Sequence, residues 1–353
     1  MQQARKDVQG GCILADRLWN LNDLQQKRFG RIFTLQGHVD AQPDDDNNGD
    51  EQNASTNAGQ QPKSKAPVQV GIAKRIEVEE WLDALALEQR DEGKTIGPQQ
   101  LHILRLVTNR CLLEAHEIRT STVNTDPQEP LRHMIQGLPG AGKSEVIKWI
   151  CRAFQEIFGF QHGVHYVCIA SQNTMAALID GFTNHSWGGV PVTSAQLESW
   201  QNTNWSTPEV SPLFEKNQHL RWILMDEGST TSAEVFGIIE DNVRRSTRAK
   251  GTWKMRRASD NTERPFGGVN LCFFVDWWQL PPVKSTDLKS TPYPEKGASA
   301  MVQKSMNMFW NHAEDSLNGM TELTKSYRQD LDPWFAELLR QCRHGNLSWT
   351  MSE

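Results

Sequence analysis

The 353-residue sequence has only three tyrosines beside thirteen tryptophans, and none of its cysteines falls at C-x-x-C spacing. That second absence removes the spacing expected of a zinc site or a dithiol redox couple. The six cysteines (Cys12, Cys111, Cys151, Cys168, Cys272, Cys342) stand singly, mostly in apolar segments. They read as buried thiols of an intracellular protein in a reducing compartment. No apolar run approaches the length needed to cross a bilayer, and the opening MQQARKDVQGG lacks the apolar stretch of a secretory signal, so no membrane partner is expected. No internal repeat is evident. The tryptophans read as core or interface anchors.

Excess positive charge is also missing. The formal net charge is −6, which would argue against a nucleic-acid partner if it were evenly spread. It is not. Between Asp40 and Pro67, six acids (Asp40, Asp44, Asp45, Asp46, Asp50, Glu51) face two lysines (Lys63, Lys65), so this segment carries −4 and the remainder only −2. DNA or RNA binding therefore turns on local clustering rather than on total charge.

The same acidic and polar stretch divides the chain. Residues 1–39 carry a short helical pattern of Leu14, Leu18, Leu21 and Leu24, too small for a domain. Residues 40–67 are Asp, Asn, Gln, Ser, Gly and Pro with almost nothing apolar, a composition that predicts a disordered linker. Order is expected from Val68 to about 348. Ile76, Val78, Trp81, Leu82 and Leu85 suit one helix packed on one face. Leu101, Ile103, Leu104, Val107, Cys111 and Leu112 suit a second after Gly97–Pro98. Leu131–Ile135, Val164–Ala170, Leu220–Met225 and Val269–Val275 are continuous apolar runs, as strands buried on both faces would be. The predicted class is α/β, with a mainly parallel central sheet flanked by helices.

Gly137, Leu138, Pro139, Gly140, Ala141, Gly142, Lys143 and Ser144 fit G-x-x-x-x-G-K-[ST] between the first apolar run and a helical pattern. Glycines there let backbone N–H groups turn inward, and the following helix presents its positive end to phosphate. Lys143 would reach the β and γ phosphates and Ser144 would hold Mg²⁺. After Lys143, Val146, Ile147, Ile150, Cys151, Phe154, Ile157 and Phe158 fall on one helical face. RWILMDEGS then runs an apolar strand into Asp226 and Glu227. In a phosphate-loop ATPase the first carboxylate supports Mg²⁺ and the second polarises the attacking water. FFVDWWQLPPV delivers Asp276, Trp277, Trp278 and Gln279 ahead of Pro281–Pro282, which stop the element rigidly. An amide that both donates and accepts suits a γ-phosphate sensor.

These segments resemble the first RecA-like domain of the Pif/RecD-type DNA helicases of superfamily one. GLPGAGKS resembles their motif I, ILMDEGS motif II, and DWWQLPPV motif III. IGPQQLHIL resembles the adenine-reading segment and places its glutamine at Gln100. ASQNTMAALIDGFTNHSW resembles motif Ia and the following T-x-H-S, and LTKSYRQDLDPWFAELLRQCRHGNLS resembles motif IV with Arg328 and Gln329. The matches run in family order from about residue 95 to 348. The resemblance implies a RecA-like P-loop fold using ATP and Mg²⁺. Lys143 and Ser144 bind phosphate and metal, Asp226 supports the metal, Glu227 activates water, Gln279 senses and Arg328 contacts the γ-phosphate, and Gln100 reads adenine. Thr183, His185 and Ser186 touch the backbone of single-stranded DNA. The implied work is 5′ to 3′ translocation in repair, recombination, telomere maintenance or mobile-element replication, in the nucleus if the source is eukaryotic.

Arg244, Arg245, Arg248, Lys250, Lys254, Arg256, Arg257 and Arg264 form a basic stretch between motifs II and III. Two readings stand beside each other: a solvated loop, or a surface along a nucleic-acid strand. Two residues depart from the family pattern. Val275 stands where motif III usually has glycine, and Gly228 follows the Asp-Glu pair where a branched residue is usual, which implies looser turns at both places. The family also continues into a second RecA-like lobe with motifs V and VI. The sequence ends at Glu353 without them, so the expectation for this chain is ATP–Mg²⁺ binding with low turnover and no unwinding alone. A non-catalytic nucleotide-dependent module binding DNA or protein is the alternative. A small-molecule kinase is disfavoured by QLPPV and the RQ pair.

Overall fold

A computed structural model describes residues 75–120, 128–192, 196, 217, 219–248, 256–257, 259–283, 285–289, 299–310, 315–327 and 332–344. The N-terminal segment 1–39, the linker 40–67, Arg328 and Gln329 lie outside these residues. The chain divides between Gln69 and Val70, and every described residue belongs to the second unit.

Two helices come first, α1 (Arg75–Asp91) and α2 (Pro98–Thr120). Pro98 opens α2 where its missing N–H costs nothing. Then follow β1 (Arg132–Gly137), α3 (Lys143–Glu156), β2 (Tyr166–Ala170), α4 (Asn173–Leu178), β3 (Phe182–Thr183), α5 (Asn184–Gly188) and β4 (Trp222–Asp226). A short turn leads to α6 (Ala233–Arg248), β5 (Asn270–Val275), α7 (Ala300–Trp310), β6 (Gly319–Leu323) and α8 (Pro333–His344). The six strands form one sheet in the order β3-β2-β4-β5-β1-β6, and every pairing is parallel.

Burial on both faces explains the continuous apolar runs. Along β5, Cys272 and Phe274 join a layer with Val78, Leu82, Leu104, Val107, Ile147, Ile150 and Phe154. Leu271, Phe273 and Val275 point the other way, to Phe236, Ile239, Val243 and Met306. The four predicted strands are all present, starting one or two residues later than the apolar runs. Two strands were not predicted. Of β6 only Thr321 and Leu323 are buried, so its polar residues interrupt any apolar pattern at the sheet edge. The two residues of β3 are too few to leave a pattern.

Three apolar assignments change. Ile76 stands at the start of α1 and is 69% exposed, off the face on which Val78, Leu82 and Leu85 are buried. Cys342 is exposed on α8, and Cys151 is half-buried with its Sγ 3.4 Å from that of Cys168.

Candidate functional site

All the predicted nucleotide-site residues that are described, apart from Gln100 on α2, lie at the carboxyl edge of the sheet. β1 ends at Gly137, residues 138–142 turn, and α3 begins at Lys143. Gly140 and Gly142 adopt left-handed backbone, φ 78° and 82°, the conformation that glycine takes without a Cβ penalty. Gly142 needs the space as well, since a Cβ there would stand 2.3 Å from Gln100 Nε2. Gly137 serves differently: its φ is not positive, and its place is set by Leu323 Cβ and Lys143 Cγ, each 3.2 Å from where a Cβ would be. Ala141 N–H closes the turn on Leu138 O at 3.1 Å. Lys143 Nζ is buried over the loop and donates to Gly137 O at 2.8 Å and Leu138 O at 3.4 Å.

Gln100 is almost wholly buried, on the first turn of α2. Its Nε2 donates to Ala141 O at 3.1 Å and its Oε1 accepts from Gly97 N–H at 2.9 Å. One amide hydrogen and one lone pair beyond these bonds match the capacity a base edge would use. The chain after β6 also reaches the loop. Ser326 Oγ donates to Pro139 O at 3.0 Å and Tyr327 N–H to Gly140 O at 2.9 Å. Arg328 lies outside the described residues, yet its neighbour is fastened to the phosphate loop.

β4 delivers the carboxylates. Ser144 Oγ donates to Asp226 Oδ2 at 3.3 Å, and Glu227 N–H to Asp226 Oδ1 at 2.9 Å. Burial raises the pKa of Asp226. Burial raises that of Glu227 too, and the Asp226 charge pushes it further while Lys143 and a hydrogen bond from Gln279 oppose the rise. Glu227 holds a left-handed backbone at φ 50° and ψ 40°, uncommon for a residue with a side chain. Its Oε2 is buried with no hydrogen-bond partner among the described residues.

The turns are tighter than the departures from the family pattern imply. Gly228 packs under a buried ring, since a Cβ there would lie 2.3 Å from Phe273 Cζ. Val275 stays in the strand and Asp276 is fully buried. Asp276 accepts from Trp278 N–H on its side chain at 3.2 Å and from Gln279 N–H on its carbonyl at 3.0 Å. Two residues without a sequence signal complete this corner. Gln136 Oε1 accepts from Trp277 N–H at 3.3 Å, and Lys289 Nζ donates to Trp277 O at 2.7 Å.

Farther along the same edge lie Thr183, His185 and Ser186. His185 and Ser186 are exposed. Thr183 caps α5, its Oγ1 accepting from Ser186 N–H at 3.1 Å. Asn184 is buried and donates from Nδ2 to Thr231 Oγ1 at 2.9 Å.

In the described part of the basic stretch the arginines are paired with acids. Arg244 pairs with Glu263 and Asp241, Arg245 with Asp241, and Arg256 with Glu263. Arg257 and Arg264 meet Glu129 at 2.8 and 3.0 Å, and Arg257 also meets Asp315. Lys250 and Lys254 and the side chain of Arg248 lie outside the described residues.

A parallel sheet with a phosphate loop after one strand, and Asp-Glu at the end of another, defines the phosphate-loop NTPase class. Between these two strands runs β5, which leads into the segment with Gln279, as in RecA-like lobes. Within that class the chain belongs to the PIF1-like helicase family, whose model matches residues 115–352. It is similar to the ATP-dependent DNA helicase PIF6 of Trypanosoma brucei brucei, with 30% identity over 60% of this chain and 25% of that one. Against the ATP-dependent DNA helicase PIF1 of Emericella nidulans the identity is 27%, over 60% and 24% of the two chains. A crystal structure of Pif1 helicase from Candida albicans aligns with 72% of this chain and 46% of that one, at 17% identity and a TM-score of 0.47. The chain thus spans about a quarter of the length of these two curated relatives. Among the described residues no helix is long and apolar enough to cross a membrane.

Proposed function

We propose that this chain is the nucleotide-hydrolysing lobe of an ATP-dependent DNA helicase. The observation that carries the reading is the convergence of Lys143, Ser144, Asp226, Glu227 and Gln279 at the carboxyl ends of β1, β4 and β5. The loop N–H groups and Lys143 would hold the phosphates, and Gln100 would meet the adenine edge. Ser144 Oγ and Asp226 Oδ2 are hard oxygen donors already 3.3 Å apart. They fit Mg²⁺, an ion that takes one or two protein oxygens and completes its shell with phosphate and water. Bound there, Mg²⁺ would neutralise charge on the β and γ phosphates. Glu227 Oε2, buried without a hydrogen-bond partner among the described residues, would take the proton of the attacking water, and Gln279 beside it would orient that water.

Single-stranded DNA would lie across α5, its phosphates accepting from His185 and Ser186, with Thr183 beside them. Such contacts carry no base preference, as translocation requires. Arg328 would reach the γ-phosphate, and a second RecA-like lobe closing on the nucleotide would complete the cycle. The cellular role would be repair, recombination or telomere maintenance, in the nucleus of a eukaryotic host.

Glu227→Gln tests the reading. ATP turnover in the presence of single-stranded DNA should fall by about 10²- to 10⁴-fold while affinity for an ATP analogue is retained. Turnover that survives the substitution, or a wild-type chain that hydrolyses no ATP while binding both ligands, would favour the non-catalytic module.

A further inference from the structure

Between the proposed DNA segment and the proposed base runs a short chain of hydrogen bonds through residues that carry neither role. Glu227 is held in its left-handed conformation from its carbonyl side. Thr230 Oγ1 donates to Glu227 O at 2.8 Å, and Thr230 N–H reaches the same oxygen at 3.1 Å. The Thr230 hydroxyl also bonds to Ser171 Oγ, just beyond β2. The next residue, Thr231, is buried and anchors the turn through its N–H to Gly228 O at 3.1 Å. Its hydroxyl accepts from Asn184 Nδ2. Asn184 is 1% exposed and stands between Thr183 and His185 as the first residue of α5. At the other end of α5, Gly188 O accepts from Asn242 Nδ2 of α6 at 2.7 Å. The five-residue helix is therefore clamped to the turn behind Glu227 and to the helix that follows this turn.

A backbone residue held in a sparsely populated conformation persists only while its surroundings over-determine it. Here the surroundings include the segment on which DNA would sit. Moving α5 would pull on Thr231, and so on the 228–231 turn, while a change at Glu227 would be felt at Asn184. We propose that Asn184 and Thr231, seconded by Thr230 and Ser171, are positioning residues that couple single-stranded DNA binding on α5 to nucleotide binding at Glu227. This inference rests on the function proposed above and adds the route by which its two ligands sense each other. Among the described residues the Asn184 Oδ1 atom is buried without a hydrogen-bond partner, so the bond from Nδ2 to Thr231 carries the contact, and breaking it should break the link.

Coupling between two ligands is reciprocal and can be read from binding alone. The affinity of the full chain for a fluorescent oligothymidylate is measured with and without a non-hydrolysable ATP analogue and Mg²⁺. For the wild type the two affinities should differ by about fivefold or more. In Thr231→Val, and separately in Asn184→Ala, each ligand alone should bind within about twofold of wild type while the effect of one on the other disappears. Thr231→Ser, which keeps the hydroxyl, should restore it. A merely structural role would weaken both ligands together or lower the melting temperature without erasing the ratio. Wild-type coupling that persists in both Thr231→Val and Asn184→Ala overturns the inference and leaves the proposed function intact. A wild-type chain that binds both ligands independently overturns it equally. Failure of the wild type to bind either ligand overturns the function, and the coupling with it.

Discussion

Gly228 shows how one residue sets the position of Glu227, the proposed base. A Cβ at this site would meet three atoms of the Phe273 ring within 3 Å, and Phe273 is fully buried among Phe236, Trp277 and Phe309. The ring has nowhere to retreat, so the turn must move. Gly228→Ala should cost about 1–3 kcal/mol of stability, the usual penalty for overpacking a filled core. Because the turn begins at Glu227, ATP turnover should fall further than affinity for an ATP analogue, which depends on residues 137–144. A thermal melt with parallel turnover and binding assays checks this, and turnover equal to wild type would sink it. Sequence alone suggested the opposite, a looser turn, because the ring that fills the space of a side chain comes from Phe273, forty-five positions away.

At the scale of elements, the contact of β1 with β6 carries a pH dependence. His133 of β1 is buried, with Nε2 2.8 Å from Thr321 Oγ1 of β6, and Gly319 leaves room for its ring. Burial, with a smaller contribution from His102, pushes its pKa down to about 3. The folded chain therefore keeps His133 neutral where the unfolded chain, with an ordinary value near 6.5, takes up a proton. This makes stability full above pH 6.5 and progressively lost below it. Between pH 7 and 5 His133 alone should withdraw about 2 kcal/mol. Denaturant unfolding at both pH values should show that loss in the wild type and a smaller one in His133→Gln. Equal losses in the two proteins would exclude His133 as the source. The strand that makes this contact, β6, was not legible in the sequence, because GMTEL has only two apolar side chains in five positions and is recognised as a strand only by its partner. The four inner strands were legible for the converse reason, that burial on both faces leaves an unbroken apolar run.

Across the described residues, the proposed nucleotide chemistry collects at the carboxyl edge of the sheet and the charge cluster around Glu129 at the opposite edge. Glu129 precedes β1, Asp315 precedes β6, and Arg257 and Arg264 lie in the approach to β5. Arg132, the first residue of β1, joins them at 3.2 Å from Glu129. Burial would lift the Glu129 pKa, but hydrogen bonds from Arg257 and Arg264 override it and hold the carboxyl below its usual range. The sequence displayed these arginines as one basic run, and their acids, up to 135 positions away, had no local signature. The nucleotide motifs were readable because their spacing is local, whereas Gln136, Asn184, Thr231 and Lys289 act through bonds between distant segments. The difference is testable with Arg257→Gln. Arg257 is 6% exposed, and its loss leaves Glu129 and Asp315 each short of a partner. The melting temperature should fall by a few degrees, since Glu129 and Asp315 are partly exposed and losing hydrogen bonds between charged groups costs about 1–3 kcal/mol. The affinity for single-stranded DNA, measured where the variant is still folded, should stay within about twofold of wild type, with the same salt dependence. Were Arg257 instead a phosphate contact, its removal would lessen the slope of log K against log salt by about 0.7, the share of one neutralised phosphate on a single strand. A changed slope at an unchanged melting temperature would return the basic stretch to the DNA.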